Sequence, residues 1–416
     1  MPAAGLLEHG SPSGATLSAR LACDIHRQFD GLDRLREAWD AAVLEAGGSV
    51  YMTYDWVRVW WEAYGERLQL RLFVFSNGPR IVAIVPIYID TLSRGPWRFR
   101  IARLVGANIP PKVFDPPVPE WCAGAVFAHV IAELFGRDDC DLLSVGPVSE
   151  LHPSRGGLEL ACQKHANQVR QDAMARQVHS TYVLPADMEE YYSRLSQRER
   201  KNRRKFELRL LKKEHDTRVE VLSSPEQVSE ELERFADQHT RQWQTEGRPG
   251  HFGAWPRAMH FNRALVAAQG QLGRVRFIRI VADDQPIATE YVFAFGDRYF
   301  AELPSRAVDR KWERFSLGPT SSVVMLGRAI SDGMSRVESG LGHYDYKVRL
   351  GAQEHAALTF RIVSRRFRSR LRFAAFSALR TCVSVAYHKI WYRRFAPRLP
   401  RIFRRPQAQL WLRLDF

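Results

Sequence analysis

Apolar positions change period repeatedly along this chain, and the changes mark out its elements. Residues 21–28 read as a first strand, and residues 32–45 as a helix closed by Gly47-Gly48. In residues 55–64, Trp56, Trp60 and Tyr64 recur at i, i+4 and i+8, one face of a second helix. Two apolar runs, 70–75 and 81–89, flank Asn77-Gly78-Pro79, a hairpin signal. A strand at 101–105, a helix at 122–135, a strand at 141–145 and a helix at 157–166 complete an α/β unit.

The second half repeats this order. The pattern predicts one long helix over 188–214, a strand at 218–222, and helices at 225–243 and 256–268. Strands at 275–282 and 287–295 enclose Asp283-Asp284-Gln285-Pro286, a second hairpin, and a strand at 299–303 continues the sheet. A helix at 318–332, a short strand at 336–338 and a last strand at 358–363 follow. The expected class is α/β (α+β). Two units, each a mixed, mainly antiparallel sheet flanked by helices, precede a basic helical tail. No close sequence repeat links the units, so their duplication is read from element order. The expected divisions are a disordered Gly/Ser/Ala/Pro-rich start at 1–19, units at 20–180 and 181–363, and a tail at 364–416.

Charge divides the chain the same way. The net charge is +15, and residues 361–416 carry 15 Lys and Arg against Asp415 alone, leaving +1 for the rest. A nearly neutral body with a polycationic tail points to an anionic partner for the tail. The five cysteines form no Cys-x-x-Cys pair, which argues for a reducing compartment and against a zinc site or disulfide framework. The histidines lack metal-ligand spacing, and no metal is expected. No Gly-x-Ser-x-Gly elbow or Walker-type loop is present, which weakens hydrolase and nucleotide-triphosphatase readings.

Four segments carry candidate chemistry. Residues 340–351, Gly-Leu-Gly-His-Tyr-Asp-Tyr-Lys-Val-Arg-Leu-Gly, follow a strand ending near Glu338. Gly340 and Gly342 permit positive φ or close approach to a ligand. Glu338, His343, Asp345, Tyr346 and Lys347 crowd ionisable groups there, a setting for proton transfer or anion binding. Its bland alternative is a glycine-rich turn. Arg314-Phe-Ser-Leu-Gly-Pro opens a helix with Pro319 read at N1. Free N–H groups near Ser316, Leu317 and Gly318, with Arg314 beside them, would suit a phosphate. Glu290 interrupts an apolar strand as either a general base or a solvent-facing residue, and Glu302 has the same ambiguity. Residues 194–213 hold ten basic side chains and two acids, an anion site or a solvated helix. The aromatic set around Trp56 and Trp60, and the His239–Trp243 pair, read better as core.

The motif order in the second half resembles the CelD-type acyltransferases of the GNAT superfamily, which are related to the FemAB aminoacyl transferases. It runs from Arg198-Glu-Arg-Lys-Asn-Arg-Arg-Lys through Pro286-Ile-Ala-Thr-Glu and Phe315-Ser-Leu-Gly-Pro-Thr to Glu338-Ser-Gly-Leu-Gly-His-Tyr-Asp-Tyr-Lys. Tyr54-Asp-Trp-Val-Arg-Val-Trp-Trp-Glu resembles the first half of the same family. The resemblance implies tandem GNAT-like domains and transfer of an acyl group, acetyl above all, from acyl-CoA to an amine in cellulose-type or other envelope polysaccharide synthesis. It places Glu338, Gly340, Gly342, Tyr346, Lys347 and Gly351 in a family pattern, and Ser316 and Gly318 at a family helix start. Arg314-Phe-Ser-Leu-Gly-Pro keeps only part of the family's pyrophosphate motif. The chemistry gives Glu290 or Glu338 as base, Tyr346 as acid, and Lys347 as phosphate or oxyanion partner. An aminoacyl-tRNA donor, meeting the basic segment 194–213, is the enzyme alternative; a non-catalytic scaffold of a polysaccharide-synthesis complex is the other.

In the tail, residues 365–394 repeat apolar positions near every fourth residue among arginines, the pattern of a basic amphipathic helix. An anionic membrane surface contacted through residues 365–405 is the expected partner, with the protein cytoplasmic and peripheral; docking of the helix onto the body is the alternative.

Overall fold

Thirteen strands build one mixed sheet in a computed structural model that describes residues 21–395 and 398, except 95, 96, 108, 111, 173, 174, 207 and 249. The start at 1–19 and the end of the tail, residues 399–416, lie outside the described residues. The first-half strands are β1 (Ala22–His26), β2 (Gln69–Asn77), β3 (Arg80–Arg94), β4 (Trp97–Leu104), β5 (Leu142–Ser149), β6 (Val169–Gln171) and β7 (Ala175–Val183). The second half contributes β8 (Thr217–Leu222), β9 (Val275–Ala282), β10 (Gln285–Phe295), β11 (Arg298–Arg306), β12 (Arg336–Leu341) and β13 (Gln353–Ser364). Their spatial order is β1-β2-β3-β4-β5-β13-β7-β12-β11-β10-β9-β8, with β6 beside β13.

Each half repeats one ladder. Strands β1 to β4 and β8 to β11 are antiparallel throughout, and each set ends on a parallel step, β4 with β5 and β11 with β12. The parallel contact is three residue pairs long in both halves, 101–103 against 142–144 and 298–300 against 336–338. Beyond Phe300 and Glu338 the pairing stops although β11 runs on to Arg306 and β12 to Leu341, a gap in the ladder. At the centre the halves exchange strands. β7 pairs with β12, β13 pairs with β5, and β7 and β13 pair with each other. The duplication read from element order is thus visible in the topology.

Local chemistry explains most elements. Asp283 and Asp284 both take positive φ (49° and 59°), as a two-residue hairpin of matching twist requires. Ser224 and Gln227 form a capping box that starts the helix Pro225–Thr245. Three expectations change. The helix expected over 188–214 is three helices, Met188–Arg194, Gln197–Phe206 and Arg209–Glu214. Extended Leu195 makes the first break, Ser196 Oγ accepts from Glu199 N at 3.2 Å to restart the helix, and Leu208 at φ 55° makes the second. The segment 340–351 holds a short helix, Asp345–Arg349. Pro319 is the third residue of its helix, Leu317–Ser331, not the first.

The helices place the site. Tyr54–Tyr64 and Ala258–Gln271 meet between the halves, with Trp56 edge-on to Phe261 at 5.7 Å. One apolar core therefore runs through both halves. The helix Leu317–Ser331 covers the other face of the second half, on Val292, Tyr299 and Val337. The tail helix Phe367–Ser384 docks on the first half, where Phe376 stacks on Phe99 at 4.6 Å and Arg372 pairs with buried Asp141 at 3.0 Å. Docking, the alternative in the sequence, holds for this face of the helix. Among the described residues, no helix is long and apolar enough to cross a membrane.

Candidate active site

Glu290 is the pivotal side chain. Its neighbours along β10, Tyr291 and Val292, belong to cores on opposite faces of the sheet, and Glu290 points with Val292 toward the helix Leu317–Ser331. It is buried there, not solvent-facing. Ser321 Oγ donates to Glu290 Oε1 at 2.7 Å and Ser322 Oγ at 3.3 Å. Burial pushes the carboxyl up to about 7, against the two serine hydrogen bonds and the positive charge of Lys347.

Lys347 and Tyr346 come to the same place on the helix Asp345–Arg349. Lys347 is buried, and its Nζ donates to Ser339 O at 2.5 Å and lies 4.7 Å from the centre of the Tyr344 ring. Burial pulls the ammonium down to about 8, although the charges of Glu290 and Glu354 act the other way. Tyr346 is half-buried, and burial followed by the Glu290 charge pushes its phenol up to about 12. The structure therefore brings Glu290, Tyr346 and Lys347 together.

Glu338 is elsewhere. It pairs in register with Phe300, whose ring joins the opposite core, so it faces the first half of the chain. Its Oε2 lies 3.1 Å from His179 Nε2, and its Oε1 lies 3.8 Å from Arg298 and 3.9 Å from Arg336. Of the two carboxylates offered as base, only Glu290 lies with Tyr346 and Lys347.

Residues 196–348 match the family described as acetyltransferase (GNAT) domain. This segment of the chain is similar to a GNAT acetyltransferase domain. Among solved structures, FemX superposes with a TM-score of 0.56 at 10% identity, over 78% of this chain and 95% of FemX. The C-terminal domain of a putative lysylphosphatidylglycerol synthetase from Agrobacterium fabrum gives a TM-score of 0.47 at 12% identity, over 83% and 95%. A tandem GNAT protein from the clavulanic acid biosynthesis pathway gives 0.40 at 13% identity, over 83% and 98%. No curated protein matches the sequence. The likeness to FemX is one of fold, and the acyltransferase class read from the sequence stands on the GNAT match.

Within the matched residues, those read as donor-binding flank the start of the helix Leu317–Ser331. Ser316 is its cap in the left-handed region at φ 51°, Leu317 is buried in the core, and a Cβ at Gly318 would meet nothing within 4 Å. Gly318 O accepts from Ser321 and Ser322, the same hydroxyls that reach Glu290. Arg314 is an exposed side chain paired with Glu214 and stacked on Phe315. Gly340 (φ 72°) sits in the register shift between Glu338 and Leu341, and Gly342 (φ 102°) carries β12 out of the sheet. Both glycines shape the backbone at the edge of the gap. A cleft of about 310 Å³ lies at the other end of the segment 340–351, bordered by Arg194, Arg198, Glu199, Arg349 and Gly351.

Sequence reasoning missed Ser321, Ser322 and Lys112. The serines follow Gly318 by one helical turn, a spacing that would have aimed them at whatever faces that turn. Lys112 gave no signal, because it comes from the first half and forms a buried 2.7 Å ion pair with Glu302. Among the described residues, no group of three or more His, Cys, Asp or Glu side chains is arranged to hold a metal ion.

Proposed function

We propose that the chain is an N-acyltransferase that moves an acyl group, acetyl in the simplest case, from acyl-CoA to a primary amine of a cell-envelope or exopolysaccharide precursor. The observation that carries the reading is the meeting of buried Glu290 and Lys347 with half-buried Tyr346. A carboxylate tuned to about 7 is matched to taking a proton near neutral pH.

The steps follow from these side chains. Glu290 takes one proton from the substrate ammonium. The freed nitrogen attacks the thioester carbonyl carbon, a C–N bond forms, and the carbonyl electron pair moves to oxygen. Lys347, with one proton committed to Ser339 O, has two more to offer that oxyanion. Collapse breaks the C–S bond. Sulfur leaves with the electron pair and takes the Tyr346 proton, and the new amide nitrogen returns a proton to Tyr346. The products are amide and thiol, and the proton on Glu290 passes to water.

The open space at Gly318, the unblocked start of its helix and the arginine-bordered cleft support a phosphate-bearing carrier. The cleft also supports a second reading, an aminoacyl-tRNA donor, because the basic helix Gln197–Phe206 forms its rim. The tail supports a site at the inner, anionic face of a membrane. Phe367 is 72% exposed, Leu371 is also exposed, and both leave the helix on the side away from docked Phe373 and Phe376.

Native mass spectrometry of the full chain tests the donor. One acetyl-CoA bound per chain is expected. Salt-sensitive tRNA binding without acetyl-CoA binding would favour the second reading, and binding of neither would leave a non-catalytic scaffold. Co-sedimentation with anionic and neutral vesicles tests the tail; equal pelleting would sink the electrostatic attachment.

A further inference from the structure

On the face of the sheet opposite Glu290, two buried polar atoms, Tyr291 Oη and His179 Nδ1, have no hydrogen-bond partner among the described residues, and Glu338 Oε2 has only its 3.1 Å ion contact with His179 Nε2. Buried groups of this kind cost free energy unless something completes them. They come from β10, β7 and β12, three strands of the same sheet.

Tyr51, from the first half, ties them into one cluster. Its hydroxyl donates to Glu302 Oε2 at 3.4 Å, its ring meets Phe300 edge-on at 5.7 Å, and the charges of Glu302 and Glu338 and the phenol of Tyr291 all act on it. Glu302 is the residue that the β10–β11 register skips between Leu303 and Ala301, a bulge at the edge of the gap. The Lys112 ammonium pairs with Glu302 and lies 5.7 Å from the Tyr51 ring centre, and its charge also acts on Lys347. The cluster and the reaction centre thus meet across the gap between β11 and β12. The Glu338 and Lys112 side chains keep 12% and 11% exposure, which marks the side open to solvent.

We propose that this cluster between the halves is the acceptor site, and that it receives a primary ammonium carried on a hydroxylated, amino-sugar-like group. Tyr291 Oη and His179 Nδ1 take hydroxyls of that group, Glu338 holds His179 through their 3.1 Å contact, Lys112 positions Glu302, and the ammonium reaches across the gap to Glu290. The inference rests on the acyl-transfer reading and deepens it by naming the acceptor class. It also explains why the first half is present: without Tyr51 and Lys112 the site lacks a wall.

Calorimetric titration of the full chain at pH 7 with glucosamine, glucose and cyclohexylamine tests it. Glucosamine carries both ammonium and hydroxyls, and each of the others lacks one. Glucosamine is expected to bind about tenfold more tightly than either. Glu338→Gln and Tyr291→Phe should each weaken glucosamine about tenfold. Unchanged acetyl-CoA affinity, or an unchanged near-ultraviolet dichroism spectrum, shows that these variants are folded. Glu290→Gln should stop transfer and bring glucosamine affinity down to that of glucose. Equal binding of the three compounds, absence of glucosamine binding, or full affinity in both cluster variants overturns the proposal. Glucosamine binding in a chain that takes up no acetyl-CoA supports this site and sinks only the donor reading.

Discussion

Replacing Glu290 by Gln removes a charge that the fold is poorly built to hold. The amide keeps an oxygen for Ser321 and Ser322, so the local hydrogen bonds survive. What changes is the response to pH. In the folded chain the carboxyl titrates at about 7, raised from an ordinary value of 4.5 by burial. A raised value means that the folded state holds the proton longer, so the stability it contributes is complete below 4.5 and is lost as pH rises through about 7. Across that interval, at about 1.36 kcal/mol per pH unit, wild type loses roughly 3 kcal/mol that Glu290→Gln does not lose. Urea unfolding of both proteins between pH 4.5 and 7.5 measures it. The stability difference, variant minus wild type, should climb by roughly 3 kcal/mol and flatten at the top of the range. Lys347 titrates near 8, above most of this window. A flat difference would mean that Glu290 titrates as an ordinary surface acid, and the argument for a tuned buried base would fail.

The same geometry makes four further predictions. Tyr346 makes no hydrogen bond through its hydroxyl among the described residues, so Tyr346→Phe should lower kcat by about tenfold or more with the Tm unchanged. The kcat/KM profile should rise toward pH 7 as Glu290 loses its proton and fall beyond about 8 as Lys347 loses its own; a profile flat from 6 to 9 would remove both from the mechanism. Lys112→Met leaves Glu302 buried and unpaired and should cost about 3 kcal/mol in urea unfolding, most of which Glu302→Gln added to it should restore. Phe376→Ala should cost about 3 kcal/mol and expose the helix Phe367–Ser384 to trypsin, because stacking on Phe99 anchors it.

Periodicity made most of the fold legible. The strand β9 was read at its observed bounds, and the Trp56–Trp60 face fills the core as its spacing implied. Strand β7 was missed because Arg176, Gln177, His179, Ser180 and Thr181 hide its alternation. Those polar residues belong to a strand paired along both edges, where ladder bonds outweigh side-chain pattern. That omission concealed the strand exchange, the feature that joins the halves. Broken helices in 188–214 were also beyond a charge pattern, since the breaks depend on the backbone of Leu195 and Leu208.

The candidate site divides along the same line. Tyr346 and Lys347 were readable because aromatic and basic groups beside glycines are unusual in a plain turn. Glu290 was readable only as a choice between base and surface residue, and burial decides its placement. Glu338 could not be separated from it, because strand position alone does not reveal which face a residue takes when a bulge intervenes. Glu302 and Lys112 meet across 190 positions of chain (302 − 112), a contact that topology creates and local sequence does not signal.

Release of free thiol from acetyl-CoA, followed in the presence and absence of glucosamine, tests acyl transfer most directly. The account predicts thiol release that requires the amine, matches N-acetyl product mole for mole, and drops about a hundredfold or more in Glu290→Gln. Thiol release indifferent to the amine, or equal turnover in wild type and Glu290→Gln, would contradict it.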